Sequence, residues 1–151
     1  MLLPVTPFWP VRSKDGLVGA LAAAGCPAVI KTADWGYDGK GQAKIGSPAD
    51  ADRLWARFAG GEAILEAFID FACEISVVAA RGINGQIVTY APSLNTHHNH
   101  ILDVSVAPAD ITQHVADGAV ELARQIMQRL EVVGVLCVEF FVGRNDRLMV
   151  N

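Results

Sequence analysis

A chain of 151 residues with 52% hydrophobic residues and a formal net charge of −4 is long enough for one domain or two small lobes, and too apolar to be disordered. The acidic balance excludes a general nucleic-acid binder, which carries a basic face, but leaves room for a local phosphate site, and Lys31, Lys40 and Lys44 lie close enough in sequence to supply one. The apolar stretch over residues 17–30 is broken by Gly19, Gly25 and Pro27 and is too short for a membrane span, and the first residues lack the features of a signal peptide, so a soluble, cytoplasmic protein is expected.

Residues 1–10 hold Pro4, Pro7 and Pro10 and read as an extended lead-in rather than a folded element. Ser13 is the expected N-cap of a helix running to about Ala24, with Asp15 in its first turn and Gly25 ending it. Residues 28–32 read as a strand, 33–42 as a glycine-rich loop and 43–45 as the returning strand. Ser47-Pro48-Ala49-Asp50 is a helix start, followed by an apolar face of Leu54, Trp55 and Phe58 and stopped at Gly60-Gly61.

From residue 62 the character changes to strands, expected over 63–68, 73–81, 86–90 and 101–106, with Asn84-Gly85 as a hairpin turn. Asp110 and Gln113 read as a capping box opening a helix whose apolar stripe is Val115, Ala119, Leu122, Ile126 and Leu130. Residues 134–142 form a further β-run, Asn145-Asp146 a turn and 147–150 its partner strand. The sequence stops inside that run, at Val150-Asn151, which predicts a truncated chain. Cys26, Cys73 and Cys137 each lie in apolar surroundings and are expected to be buried, reduced thiols.

Several residues have chemical potential. The loop Gly36-Tyr37-Asp38-Gly39-Lys40-Gly41-Gln42 has three glycines in seven residues, so its backbone N–H groups can approach phosphate oxygens, with Lys40 adding a charge. Its spacing is neither that of a P-loop nor that of the Rossmann fingerprint, and a plain flexible hairpin fits equally well. Lys31 closes an apolar strand, either snorkelling to solvent or meeting the same phosphates. Glu66 and Glu74 are isolated carboxylates among apolar neighbours, explained by solvent-facing alternation or by a nucleotide pocket. Glu139, in a strongly apolar run, is costly unless paired or bound to a metal such as Mg²⁺. His97, His98 and His100 suggest zinc, but no cysteine is near enough to complete a tetrahedral site, and a polar strand edge with one ligand-touching histidine fits better.

Taken together, residues 28–32, the loop at 36–42, Ile64-Leu65-Glu66, Glu74-Ile75-Ser76-Val77, Asn95 with His97, Ile101-Leu102 and Gly134-Val135-Leu136 leading to Glu139 resemble the ATP-grasp domain of the N5-carboxyaminoimidazole ribonucleotide synthetase family, the ATPase subunit of phosphoribosylaminoimidazole carboxylase. The resemblance covers essentially the whole chain, and its most specific part is the Gly-Tyr-Asp-Gly-basic-Gly loop. It implies an α+β ATP-grasp fragment of two small α/β lobes with mainly antiparallel sheets. A small lobe over 11–62 would carry the glycine loop, and part of a large lobe over 63–151 would follow, with nucleotide between them.

The implied reaction phosphorylates bicarbonate with ATP to give carboxyphosphate, then passes the carboxyl group to the exocyclic amine of aminoimidazole ribonucleotide. By the same resemblance Lys31 contacts ATP and residues 36–42 close over its phosphates, with Tyr37, Asp38 and Lys40 also facing the ribonucleotide. Asp38 and Lys40 are the implied catalytic residues. Glu66, Ala67, Phe68 and Ile69 would form the hinge against adenine, Glu74 would bind ribose, and His97 and Asn151 would lie by the nucleotide. Glu139 would hold Mg²⁺, and a homodimer is implied, with no nucleic-acid or membrane partner.

Asn99-His100 departs from the family's Asp-Gly after the histidine motif. The family's glutamate after the asparagine matching Asn151, which is its second Mg²⁺ ligand, and its N-terminal domain are absent from this sequence. The polypeptide alone is therefore expected to be inactive or nearly so. Other readings are a formate-dependent glycinamide ribonucleotide transformylase type of ATP-grasp ligase, a nucleotide-binding module without catalysis, and a fragment that binds nothing and self-pairs at exposed strand edges.

Overall fold

The computed structural model describes residues 3–34, 41–58, 61–99 and 101–151. Contacts divide the chain into two compact units, one of Thr6–Ile69 with Asn99–Ile101, the other of Met1–Val5, Asp70–His98 and Leu102–Asn151.

In the first unit, helix α1 (Lys14–Ala24) starts where Ser13 Oγ accepts from the Gly16 N–H at 3.0 Å, and ends where Gly25, at φ +79°, donates to the Leu21 carbonyl. Such a positive φ favours glycine, as the sequence predicts. Ser47 caps a short 3-10 turn, Pro48–Asp50, that feeds helix α2 (Ala51–Arg57). The strands are β1 (Phe8–Val11), β2 (Ala28–Thr32), β3 (Gln42–Ile45) and β4 (Ala63–Ala67), in the antiparallel order β1-β4-β2-β3. Their alternation buries Val11, Ala28, Ile30, Ile45 and Leu65 against Leu17 and Leu21 of α1, Leu54 of α2 and Phe58.

Strand β1 corrects the lead-in reading of residues 1–10. Pro10 lacks an N–H, yet β1 lies at the sheet edge, where a missing ladder donor is tolerated. Earlier still, the Pro4 carbonyl accepts from the Val150 N–H and Val5 bridges Val150, both within the second unit. Strand β4 pairs with β1 and β2, so residues 63–67, read from sequence as the start of the larger lobe, fold with the first unit.

The second unit holds β5 (Phe71–Arg81), β6 (Ile87–Thr89), β7 (Ser93–His98), β8 (Ile101–Val106) from Leu102 on, helix α3 (Gln113–Arg129), β9 (Gly134–Gly143) and β10 (Leu148–Val150). The sheet order is β10-β9-β5-β7-β8, with β6 alongside β5. Strand β5 pairs antiparallel with β6, β7 and β9, and β9 with β10. Asn84-Gly85 turns β5 into β6, with Gly85 at φ +82°, and Asn145-Asp146 turns β9 into β10. The core joins Val115, Ala119, Leu122 and Ile126 of α3 to Ile75, Val77, Val138 and Phe140 of the sheet.

Three expectations are corrected here. The N-cap of α3 is Thr112, not Asp110: its extended backbone leaves Oγ1 accepting from the Val115 N–H at 3.4 Å, and Gln113 becomes the first helical residue, its side chain bonding Asp117 instead. Leu130 leaves the apolar stripe because it follows the last helical residue, and it is exposed. The cysteines are free but not buried: Cys26 follows the turn that ends α1, Cys137 alternates away from α3, and Cys73 is half-buried. Among the described residues no helix is long and apolar enough to cross a membrane.

Candidate functional site

Each sheet has one face packed on helices and another that carries polar side chains. In the first unit that second face is fixed by register: Val29 stands opposite both Glu66 and Lys44, and Lys31 opposite Gln42 and Ile64. Side chains two residues apart share a face, so Lys31, Lys44, Gln42 and Glu66 come together. Lys31 Nζ lies 2.7 Å from Glu66 Oε2, with only 28% and 16% of the side chains exposed. Partial burial weakens solvent screening of the pair at a cost in desolvation, and the contact ties two separately read candidates into one feature. Lys44 Nζ stands 4.0 Å over the Phe68 ring, a cation–π contact the sequence reading did not anticipate. Ala67 and Ile69 are half-buried beside it.

The glycine loop joins β2 to β3, and the Thr32 N–H donates to the Gly41 carbonyl at its base. Gly41 takes φ +79°, where a Cβ would be strained, and Gln42 begins β3. Gly36, Tyr37, Asp38, Gly39 and Lys40 lie outside the described residues, as does His100.

The second unit repeats the arrangement with different chemistry. Glu74 stands opposite Asn95 on β7 and Phe141 on β9, and Ser76 opposite Glu139, so these residues share the sheet face turned away from α3. His97, two residues on from Asn95, joins them, its Nδ1 2.7 Å from Glu74 Oε2 with both side chains about three-quarters buried or more. No hydrogen bond of regular geometry accompanies this approach. His98 alternates to the other face and is exposed. Burial pushes the neighbouring Cys73 thiol above its ordinary value, helped by the negative charges of Asp146 and Glu74.

Glu139 is half-buried, with no ion-pair partner among the described residues. Its carbonyl accepts from the Asn151 N–H at 3.0 Å, and both residues line an open depression of about 320 Å³. One uncommitted carboxylate fits the donor set of Mg²⁺, which takes one or two carboxylates and fills its shell with phosphate oxygens and water. Among the described residues, which leave out His100, no group of three His, Cys, Asp or Glu side chains is placed to hold a metal ion.

Sequence reasoning also passed over a buried polar cluster. Ser76 and Asn95 are 6% and 7% exposed, and Asn95 Oδ1 accepts from Ser76 Oγ at 3.3 Å and from Ser105 Oγ at 2.8 Å. The available signal was a small polar residue alternating with apolar ones on each of two neighbouring strands, on the same face as Glu74.

Two antiparallel sheets, each packed on helices, define an α+β class rather than a parallel Rossmann or P-loop sheet. The family model of the ATP-grasp domain matches residues 1–151, and the chain belongs to that family. It is 38% identical over 147 residues to the N5-carboxyaminoimidazole ribonucleotide synthase of Bacillus subtilis (strain 168), a match covering 97% of this chain and 39% of that protein. Against the Pseudomonas aeruginosa protein of the same name it is 40% identical over 139 residues, covering 92% of this chain and 38% of the relative. Among solved structures, an ADP complex of an N5-carboxyaminoimidazole ribonucleotide synthetase superposes with a TM-score of 0.92 at 36% identity, covering 99% of this chain and 40% of that one. The Staphylococcus aureus synthetase complexed with ADP gives a TM-score of 0.91 at 32% identity, with 99% and 39% covered. The chain thus spans about two fifths of the length of these relatives.

Proposed function

We infer that the chain is the ATP-binding core of a cytoplasmic ligase of purine biosynthesis that carboxylates 5-aminoimidazole ribonucleotide. The observation that carries this reading is the pairing of Lys31 with Glu66 on a sheet face next to the base of the glycine loop, in a chain similar to synthetases solved with ADP.

In the proposed chemistry bicarbonate oxygen attacks the γ-phosphorus of ATP, the bond to the β-phosphate oxygen breaks, and ADP leaves. The resulting carboxyphosphate gives its carboxyl group to the exocyclic amine of the ribonucleotide, forming the N–C bond and releasing phosphate and a proton. Catalysis of such transfers is mostly positioning and charge neutralisation. Lys31 would meet the phosphates, with Glu66 holding its ammonium in place. Residues 36–42 would cover them, with Asp38 and Lys40 at the reacting groups. The backbone of residues 66–69 would bond the adenine edge. Glu74 and His97 would take the ribose side, with Asn151 beside them. Glu139 would hold Mg²⁺, which supplies charge neutralisation at the phosphates when bound. The working form would be a homodimer.

Isothermal titration with Mg-ATP and a non-hydrolysable analogue tests this reading. Saturable binding is expected, with at least about a hundredfold loss in a Lys31→Ala, Glu66→Ala double variant, a loss of about 2.7 kcal/mol. Unchanged affinity in a folded double variant would sink it. Turnover with bicarbonate rather than formate, dependent on aminoimidazole ribonucleotide, separates it from the transformylase type.

A further inference from the structure

Asn95 is the most buried polar side chain on the Glu74–His97 face after Ser76, and the chemistry outlined above gives it no task. Its Oδ1 is saturated by two hydroxyl donors, Ser76 Oγ from β5 at 3.3 Å and Ser105 Oγ from β8 at 2.8 Å. In the structure Oδ1 is the amide atom that meets both hydroxyls, and Nδ2 makes neither contact. Among the described residues the Nδ2 group donates to no protein acceptor. A nearly buried amide whose oxygen is held from both flanking strands therefore keeps two N–H donors uncommitted.

Its place gives those donors a direction of use. Asn95 stands directly opposite Glu74 in the β5–β7 ladder, where paired Cα atoms are about 4.5–5.5 Å apart. Glu74 gives one carboxylate oxygen to the His97 contact and has no other partner among the described residues, so an acceptor and a donor stand side by side on one sheet face. A hydroxyl group requires that combination, since it donates through its hydrogen and accepts through its oxygen. A vicinal diol offers two such groups at adjacent carbons.

We propose that Asn95 is a further ligand-binding residue, its Nδ2 donating to a ribose hydroxyl oxygen of the nucleotide whose O–H donates to Glu74, with Ser76 and Ser105 as positioning residues that fix the amide. The proposal rests on the nucleotide-binding reading and adds a residue and a polarity to it. An amide held this way costs little ordering on binding and favours ribose over deoxyribose.

The test compares dissociation constants for ATP, 2′-deoxy-ATP and 3′-deoxy-ATP in the unaltered protein and in Asn95→Leu, Asn95→Asp, Ser105→Ala and Glu74→Gln variants, with melting temperatures recorded alongside. The unaltered protein is expected to prefer ATP over one deoxy analogue by about five- to tenfold, as one hydrogen bond implies. Asn95→Leu and Asn95→Asp should cut that preference at least about threefold, roughly half to two-thirds of the free energy behind it, and Ser105→Ala should cut it less. Asn95→Asp keeps the acceptor oxygen and the side-chain shape, so it remains informative if Asn95→Leu does not fold. Lower melting temperatures with an unchanged ribose preference in both Asn95 variants would overturn the proposal and leave a structural role. Loss of affinity in Glu74→Gln alone would reject Asn95 while keeping the nucleotide reading. No effect of Glu74→Gln on either affinity or preference would remove the reading on which it rests.

Discussion

The four-stranded and six-stranded sheets each bury one face on helices and use the other for charge, but they hold that charge differently. On the smaller sheet Lys31 and Glu66 are two groups charged at neutral pH, 2.7 Å apart on neighbouring strands. On the larger sheet Glu74 meets His97 at the same 2.7 Å, but an imidazole attracts a carboxylate electrostatically only when it carries a proton. On the proposed reading the first pair meets phosphate charge and the second meets uncharged hydroxyl groups. Equal geometry on the two sheets therefore does not mean equal chemistry.

The comparison is sharpest in the cores beneath the two faces. Phe140→Ala on the larger sheet should cost about 3–5 kcal/mol and Leu65→Ala on the smaller about 2–5 kcal/mol, read from urea unfolding, since both side chains are fully buried. A loss under about 1 kcal/mol in either would mean that its sheet is not packed on its helices as described.

Next in size are the pairs themselves. Lys31→Met leaves the Glu66 carboxylate, only 16% exposed, without this ammonium, and should destabilise by about 1–3 kcal/mol. His97→Gln should cost less than about 1 kcal/mol, because no regular hydrogen bond is lost. Equal losses in the two variants would break the distinction between the sheets.

The helix caps come third. Ser13→Ala and Thr112→Ala should each cost about 1 kcal/mol, while Asp110→Ala should stay within about 0.5 kcal/mol. A loss at Asp110 matching that at Thr112 would restore the capping box read from the sequence.

The smallest effect belongs to Cys73. Its folded thiol is raised by burial and by Asp146 and Glu74, so the unfolded thiol ionises first as pH rises. The associated stability is complete below the ordinary thiol range and is lost as pH climbs through it toward the folded value. Cys73→Ser should flatten the alkaline decline in melting temperature. In the unaltered protein, mass spectrometry after brief iodoacetamide treatment should find Cys26 and Cys137 alkylated ahead of Cys73. Faster reaction at Cys73 would contradict its raised thiol.

Much of this architecture was legible one element at a time. Helix α1 begins and ends where Ser13 and Gly25 said it would, and β2 spans residues 28–32 as read, because capping and alternation are local effects. The errors fell where a local signal had a tertiary competitor. Three prolines argued against a strand near the N-terminus, yet a sheet edge at β4 was available and β1 formed there. Asp110 and Thr112 are both competent caps, and the backbone entering α3 chose the hydroxyl. Cys137 is apolar company in sequence but lies on the outward side of a pleat.

The sequence by itself determined the punctuation of the chain, the alternating strands, the amphipathic α3 and the glycine-rich loop, since each follows from neighbours a few residues apart. Which carboxylate meets which base was decided by the tertiary structure alone. Glu66 finds Lys31 across 35 positions and Glu74 finds His97 across 23, through strand register that no local pattern encodes. The same register gathers Ser76, Asn95 and Ser105 into one hydrogen-bonded cluster. Pairing between strands is paid for by burying the opposite, apolar face, so the core on one side of each sheet fixes the chemistry on the other.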